Sequence, residues 1–188
     1  MSSTPKFAHV VLQTPRFGQM RDWYCTVLTA HVVYEGHGLC FITFDDEHHR
    51  VALMSAPLQN RNPKAAGLHH TAYTFDTLDA LLTRYEDLRQ RGIEPKVSIQ
   101  HGVTTSLYYQ DPDGNFVELQ IDNFATPEEA TAYMHGPEYA ANPVGVGFDP
   151  ALMRQALADG ADVSDITTQT WASTVCPDLP DPLLALTS

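Results

Sequence analysis

The feature that most constrains this chain is an internal repeat. The stretch FAHVVLQT, Phe7 to Thr14, alternates like a half-buried strand, and Phe17, Met20, Tyr24 and Val27 then recur at helical spacing. Three strand-like runs follow: AHVVYEG, LCFITF and RVALMSA. The second half repeats the order. LHHTAYTF reads as a strand, Asp76 as the N-cap of a helix carrying Leu78, Leu81, Leu82, Tyr85 and Leu88, and Gly92 as its stop. KVSIQ, TSLYYQ and NFVELQI complete it, and the polar run Pro57 to Gly67 links the halves. The pattern predicts an α+β fold: two paired βαβββ modules, about 6–56 and 66–123, that form an open concave sheet within one domain, 1–123.

After Asp122 the repeat ends. Thr126, Pro127 and Glu129 form a capping-box start, and Asp149-Pro150 opens a short amphipathic helix stopped by Gly160. From Ala161 on, the tail shows little periodicity and several prolines, as a surface arm or oligomer contact would. Residues 124–188 are thus expected to be a helical extension rather than an independent domain.

Composition narrows the partners. A formal charge of −12, from 11 basic and 23 acidic side chains, opposes binding to nucleic acid or an anionic membrane surface. MSSTPKFAHV has no apolar run after a basic start, and no stretch of about 18 consecutive apolar residues occurs, so a cytoplasmic protein is expected. Cys25, Cys40 and Cys176 are widely spaced without a CxxC, which fits reduced thiols.

The segment SLYYQDPDGNFVELQID carries the chemistry. It reads as a hairpin in which Asp111, Asp113 and Gly114 shape the turn rather than bind calcium. Strand parity puts Val117, Leu119 and Ile121 on one face and Phe116, Glu118 and Gln120 on the other. Superposing the first strand of each half matches His9 with His70, on the same non-core side as Glu118, while His69 takes the core parity of Thr71 and Tyr73. Two neutral imidazoles and a carboxylate, with positions left open, are the ligand set of non-heme Fe(II) oxygenases. Mn(II) is the alternative that the same ligand types accept.

With His9, His70 and Glu118 at matching places in paired βαβββ units, the chain resembles the vicinal oxygen chelate superfamily of glyoxalases, bleomycin resistance proteins and dioxygenases, and within it the type I extradiol dioxygenases. The resemblance covers about Lys6 to Asp122, and the DPDGNFVEL hairpin is shared across the whole superfamily. It implies that His9, His70 and Glu118 hold the metal. In EHHRVAL, His49 precedes Ala52 as the acid-base histidine of extradiol enzymes precedes a small residue. Ala52 falls where glyoxalase-like relatives usually carry a fourth ligand. Tyr108, ten residues before Glu118, and His101-Gly102, set closer than in larger relatives, match a further histidine-glycine pair and tyrosine. A solvated turn at His48-His49, and Tyr109 in place of Tyr108, are the competing assignments; His31, His37 and His135 read as surface residues and Asp149 as a helix cap.

The function implied is cleavage of a catechol, such as a 2,3-dihydroxybiphenyl-like diol, by O2 beside its vicinal hydroxyls, with both oxygen atoms retained. A metal-dependent isomerase or lyase of the same fold is the alternative, and a drug-sequestering protein a third. A small sheet with open edges also leads us to expect a homodimer or higher homo-oligomer.

Overall fold

In the computed structural model, which describes residues 4–59 and 66–187, the repeat appears as two sheets with the same internal wiring. The polar linker lies partly outside the described residues. Strand β1 (Val10–Thr14) leads into helix α1 (Phe17–Val27), which buries Met20, Tyr24 and Val27. Then come β2 (His31–Gly36), β3 (Leu39–Thr43) and β4 (Val51–Ser55). The β2–β3 turn places His37 at φ 52° and Gly38 at φ 77°, the paired positive angles that a two-residue hairpin requires. The strand order is β1-β4-β3-β2, with β1 and β4 parallel.

The second half contains β5 (His70–Thr74), helix α2 (Leu78–Gln90), β6 (Val97–Gln100), β7 (Thr104–Gln110) and β8 (Phe116–Asp122). Its sheet runs β5-β8-β7-β6, again with first and last strands parallel. Helix α2 starts one residue later than the sequence reading placed it. Thr77, not Asp76, is the N-cap, and its hydroxyl accepts from the Ala80 N–H while Asp79 occupies the first turn.

Cross-strand register aligns the halves residue for residue. Val11 pairs with Ala52 in the first sheet and Ala72 with Glu118 in the second, so Ala52 is the counterpart of Glu118.

The remainder forms α3 (Pro127–Met134), α4 (Pro137–Ala141), β9 (Val146–Gly147), α5 (Pro150–Ala158), α6 (Val163–Ile166), α7 (Gln169–Val175) and α8 (Pro182–Thr187). Thr126 and Glu129 make the reciprocal capping box, and Asp149 caps α5. The tail is more regular than its sequence pattern: α6 and α7 are capped by Asp162 and Thr168, too short to show an amphipathic period. β9 adds a fifth strand beside β6, which the sequence reading missed because two residues carry no alternation.

By internal contacts, one compact unit comprises the chain before residue 66 together with Asp111–Asn115, and the other comprises Ala66–Gln110 and Phe116 onward. The extension therefore belongs with the second half. Arg154 on α5 reaches Asp79, Thr83 and Glu86 of α2. In the first unit, Asp111 organises the hairpin turn by accepting from the Asp113 and Asn115 N–H groups and from the Tyr24 hydroxyl. The turn reading of DPDG is thereby explained.

Candidate metal and ring-cleavage site

In the second unit, parity and register place the polar groups. His70 opens β5 and Glu118 lies in the middle of the adjacent β8, while Tyr108 on β7 stands directly across from Glu118. The Glu118 side chain is 5% exposed, and its Oε2 lies 3.0 Å from His70 Nε2. Burial pushes the Glu118 carboxyl up, but hydrogen bonding, that of His70 first, outweighs it and holds the group below its usual range. Glu118 is therefore a carboxylate at neutral pH.

The pair fits a cation. Two adjacent ligands each about 2.1 Å from one ion lie about 3 Å apart, the separation seen here. Among the described residues no group of three or more His, Cys, Asp or Glu side chains is arranged around one point. His70 and Glu118 are what the second unit supplies by itself.

Behind the pair stands a proton-bearing chain. The Tyr108 hydroxyl is 3.0 Å from His101 Nε2, and His101 Nδ1 is 2.6 Å from the Val144 carbonyl oxygen. Burial, and next the Glu118 charge, push the Tyr108 phenol well above its usual range, so it keeps its proton and acts as a donor. Burial lowers His101, leaving the imidazole neutral at physiological pH. On the same face Ile99, Tyr108 and Phe116 form an apolar cluster, covered by Val97 and by Leu186 of α8.

Tyr109 faces the other way. Its side chain is fully buried and its hydroxyl lacks a partner among the described residues, so it does not replace Tyr108 at this face.

His69 departs from the expected core position. It is exposed, stacks on Phe116 with centroids 5.5 Å apart, and sets Nδ1 2.7 Å from His70 Nδ1 and Nε2 3.2 Å from the Leu186 carbonyl. The reason is that β5 begins only at His70, so residue 69 escapes the strand alternation.

In the first unit, His9 likewise precedes its strand by one residue and is exposed. His49 is buried, its ring 4.6 Å from Phe41 and 4.2 Å from His9, so it is not a solvated turn residue. Burial, followed by His9 and His48, lowers its pKa and leaves a neutral imidazole. Arg50 was not singled out by sequence, yet it ties this region together: Nε binds Asp45, and Nη1 donates to the carbonyls of Phe7 and Ala8, 2.7 and 3.1 Å away. Ser106, which supports Glu118, was also missed. Both roles depend on chain returns and cross-strand neighbours, and the only local hint was their closeness to His49 and Tyr108.

The profile of the Glyoxalase/Bleomycin resistance protein/Dioxygenase superfamily matches residues 6–119. Among curated proteins, the chain is similar to biphenyl-2,3-diol 1,2-dioxygenase 2 of Rhodococcus globerulus, 75% identical over 190 residues covering 100% of each chain. It is also similar to biphenyl-2,3-diol 1,2-dioxygenase 3 of that organism, 56% identical over 92% of each. Two solved structures share the fold. A glyoxalase/bleomycin resistance protein/dioxygenase from Nocardioides gives a TM-score of 0.51 at 20% identity, covering 65% of this chain and 86% of its own. Lactoylglutathione lyase from Agrobacterium tumefaciens gives 0.52 at 18% identity, covering 64% and 96%.

Proposed function

This chain belongs to the glyoxalase/bleomycin resistance protein/dioxygenase superfamily, and from that premise we propose that it is an extradiol dioxygenase of biphenyl-2,3-diol-type catechols, with Fe(II) held by His9, His70 and Glu118. The observation that carries the reading is 75% identity, along the whole chain, to a biphenyl-2,3-diol 1,2-dioxygenase. The 3.0 Å His70–Glu118 pair supports the metal, and Ala52 at the counterpart of Glu118 argues against a fourth protein ligand of the glyoxalase kind.

When bound, the iron supplies open coordination positions and the Lewis acidity that lowers the pKa of a catechol hydroxyl. The protein's residues do the rest. His49, neutral and shielded from water by Phe41, can take a hydroxyl proton at an imidazole nitrogen and return it to oxygen as the ring opens. Tyr108 keeps its proton and can donate it to His101 Nε2, so its hydroxyl oxygen, fixed in direction by His101, is left to accept a hydrogen bond from a catechol hydroxyl and orient it. Val97, Ile99, Phe116 and Leu186 make the same face apolar, which suits a second aromatic ring and keeps water out. In the overall reaction a ring carbon–carbon bond beside the diol breaks, and both atoms of O2 enter the product.

The test is aerobic turnover of iron-reconstituted protein with 2,3-dihydroxybiphenyl and a panel of smaller catechols. One O2 consumed per diol, with a yellow ring-opened product, is expected. Metal-loaded protein that consumes no oxygen with any catechol would replace this reading with the isomerase or lyase one.

A further inference from the structure

The extension reaches back to the backbone around His101. Gln169, at the start of α7, sets its amide Nε2 3.0 Å from the His101 carbonyl oxygen and 3.1 Å from the Asn142 carbonyl oxygen. A primary amide nitrogen has two hydrogens, so it can serve both acceptors at once. Between these points, residues 142–147 form a strap. The Asn142 side chain closes it, its Nδ2 donating to the Gly145 carbonyl and its Oδ1 accepting from the Gly145 N–H. Gly145 has φ +96°, and a Cβ there would collide with the Gln100 carbonyl oxygen and His101 Cα, so the strap lies flush on the chain that carries His101. Val146 and Gly147 then pair with Gln100 and Ile99. From the other side, Asn123 Nδ2 bridges Gln100 Oε1, the Gly102 carbonyl and the Thr167 carbonyl.

The strap delivers one group to the site, the Val144 carbonyl 2.6 Å from His101 Nδ1. A carbonyl can only accept. A neutral imidazole has one N–H, so its proton must sit on Nδ1, leaving Nε2 to accept from the Tyr108 hydroxyl. We propose that Gln169 is a positioning residue, clamping the 142–147 strap against His101 so that the Val144 carbonyl holds that imidazole as the Nδ1–H tautomer and aims the Tyr108 hydroxyl. The claim rests on the dioxygenase reading for its catalytic consequence but not for its structural content. It gives the extension a part in the chemistry that the paired modules alone lack.

The deciding measurement is the tautomer of His101 in ¹⁵N-histidine-labelled, metal-free protein at neutral pH, with the resonance assigned through His101→Asn. Wild-type protein should show a protonated Nδ1 and an unprotonated Nε2. Gln169→Met, which keeps length and removes both donors, should shift His101 toward Nε2–H. Once iron-loaded, it should lose about 10-fold or more in kcat, with KM changed by less than about twofold and metal content unchanged. Gln169→Lys, which restores a multiple donor, should recover the wild-type tautomer and much of the rate. An Nε2–H tautomer in wild-type protein overturns the proposal without any variant, even if Gln169→Met fails to fold. So does a Gln169→Met protein that keeps both the Nδ1–H tautomer and the wild-type kcat. If wild-type protein cleaves no catechol, the functional reading fails, while the tautomer measurements still judge the clamp.

Discussion

Glu118 owes its ionised state to its neighbours: burial pushes its pKa up, and hydrogen bonding, that of His70 first, reverses the tendency. Its oxygen also stands 3.0 Å from His70 Nε2, the pair proposed to hold the metal, so Glu118→Ala should abolish metal retention, read by elemental analysis after desalting. His69→Ala should weaken metal binding by about 10-fold without abolishing it, because the hydrogen bond of His69 to His70 is made at the nitrogen turned away from Glu118. His49→Ala should keep its metal and still bind catechol while turnover falls by about 10²-fold; wild-type turnover in that variant would remove His49 from the proton transfer. The Cys40 thiol should be quiet. Burial pushes the fully buried Cys40 up to about 11, so at pH 8 only about one molecule in a thousand carries its thiolate. A colorimetric thiol titration of native protein should miss Cys40 and find it after denaturation.

Among the elements, Arg154 shows how the extension is joined to the second half. Its guanidinium meets Asp79 and Glu86 at 2.6 and 3.1 Å, but Asp79 is largely exposed, so solvent screens much of the attraction. Arg154→Ala should cost about 1 kcal/mol, a fall of roughly 2–4 °C in Tm, and the effect should shrink in 1 M salt. An unchanged melting temperature at low salt would show that apolar contacts alone dock α5. At this scale the sequence was informative wherever a period had room to show. Five-residue strands and an 11-residue helix reveal alternation or helical recurrence, so both βαβββ units and the inward parity of Glu118 could be read directly. The Asp76–Thr77 choice could not be settled, since either residue can cap and only the backbone angles at Thr77 decide. The strap, β9 and the Gln169 bridge were illegible for another reason. They are held by carbonyl groups, which every residue possesses and no sequence pattern marks.

For the whole molecule, the paired module repeats one rule of connection. Strand β2 ends its sheet with Val32, Val33 and Tyr34 exposed, an edge that a second copy can cover. Light scattering at micromolar concentration should therefore exceed the 20.8 kDa of a single chain; a monomer would leave that edge bare. Metal should also stabilise the fold. At a free concentration about 100 times its Kd, an ion that binds only native protein adds about 2.7 kcal/mol, so EDTA should lower Tm by several degrees. The parallel pairing of β5 with β8 gives this effect a direction in time. His70 is near the first residue of its module to leave the ribosome and Glu118 near the last, yet the sheet makes them neighbours. During synthesis the nascent second module has no cation pair until β8 emerges. A chain that captures a metal ion at that moment closes a long loop whose entropy would otherwise oppose folding, so metal supply during expression should set how much soluble protein a cell accumulates.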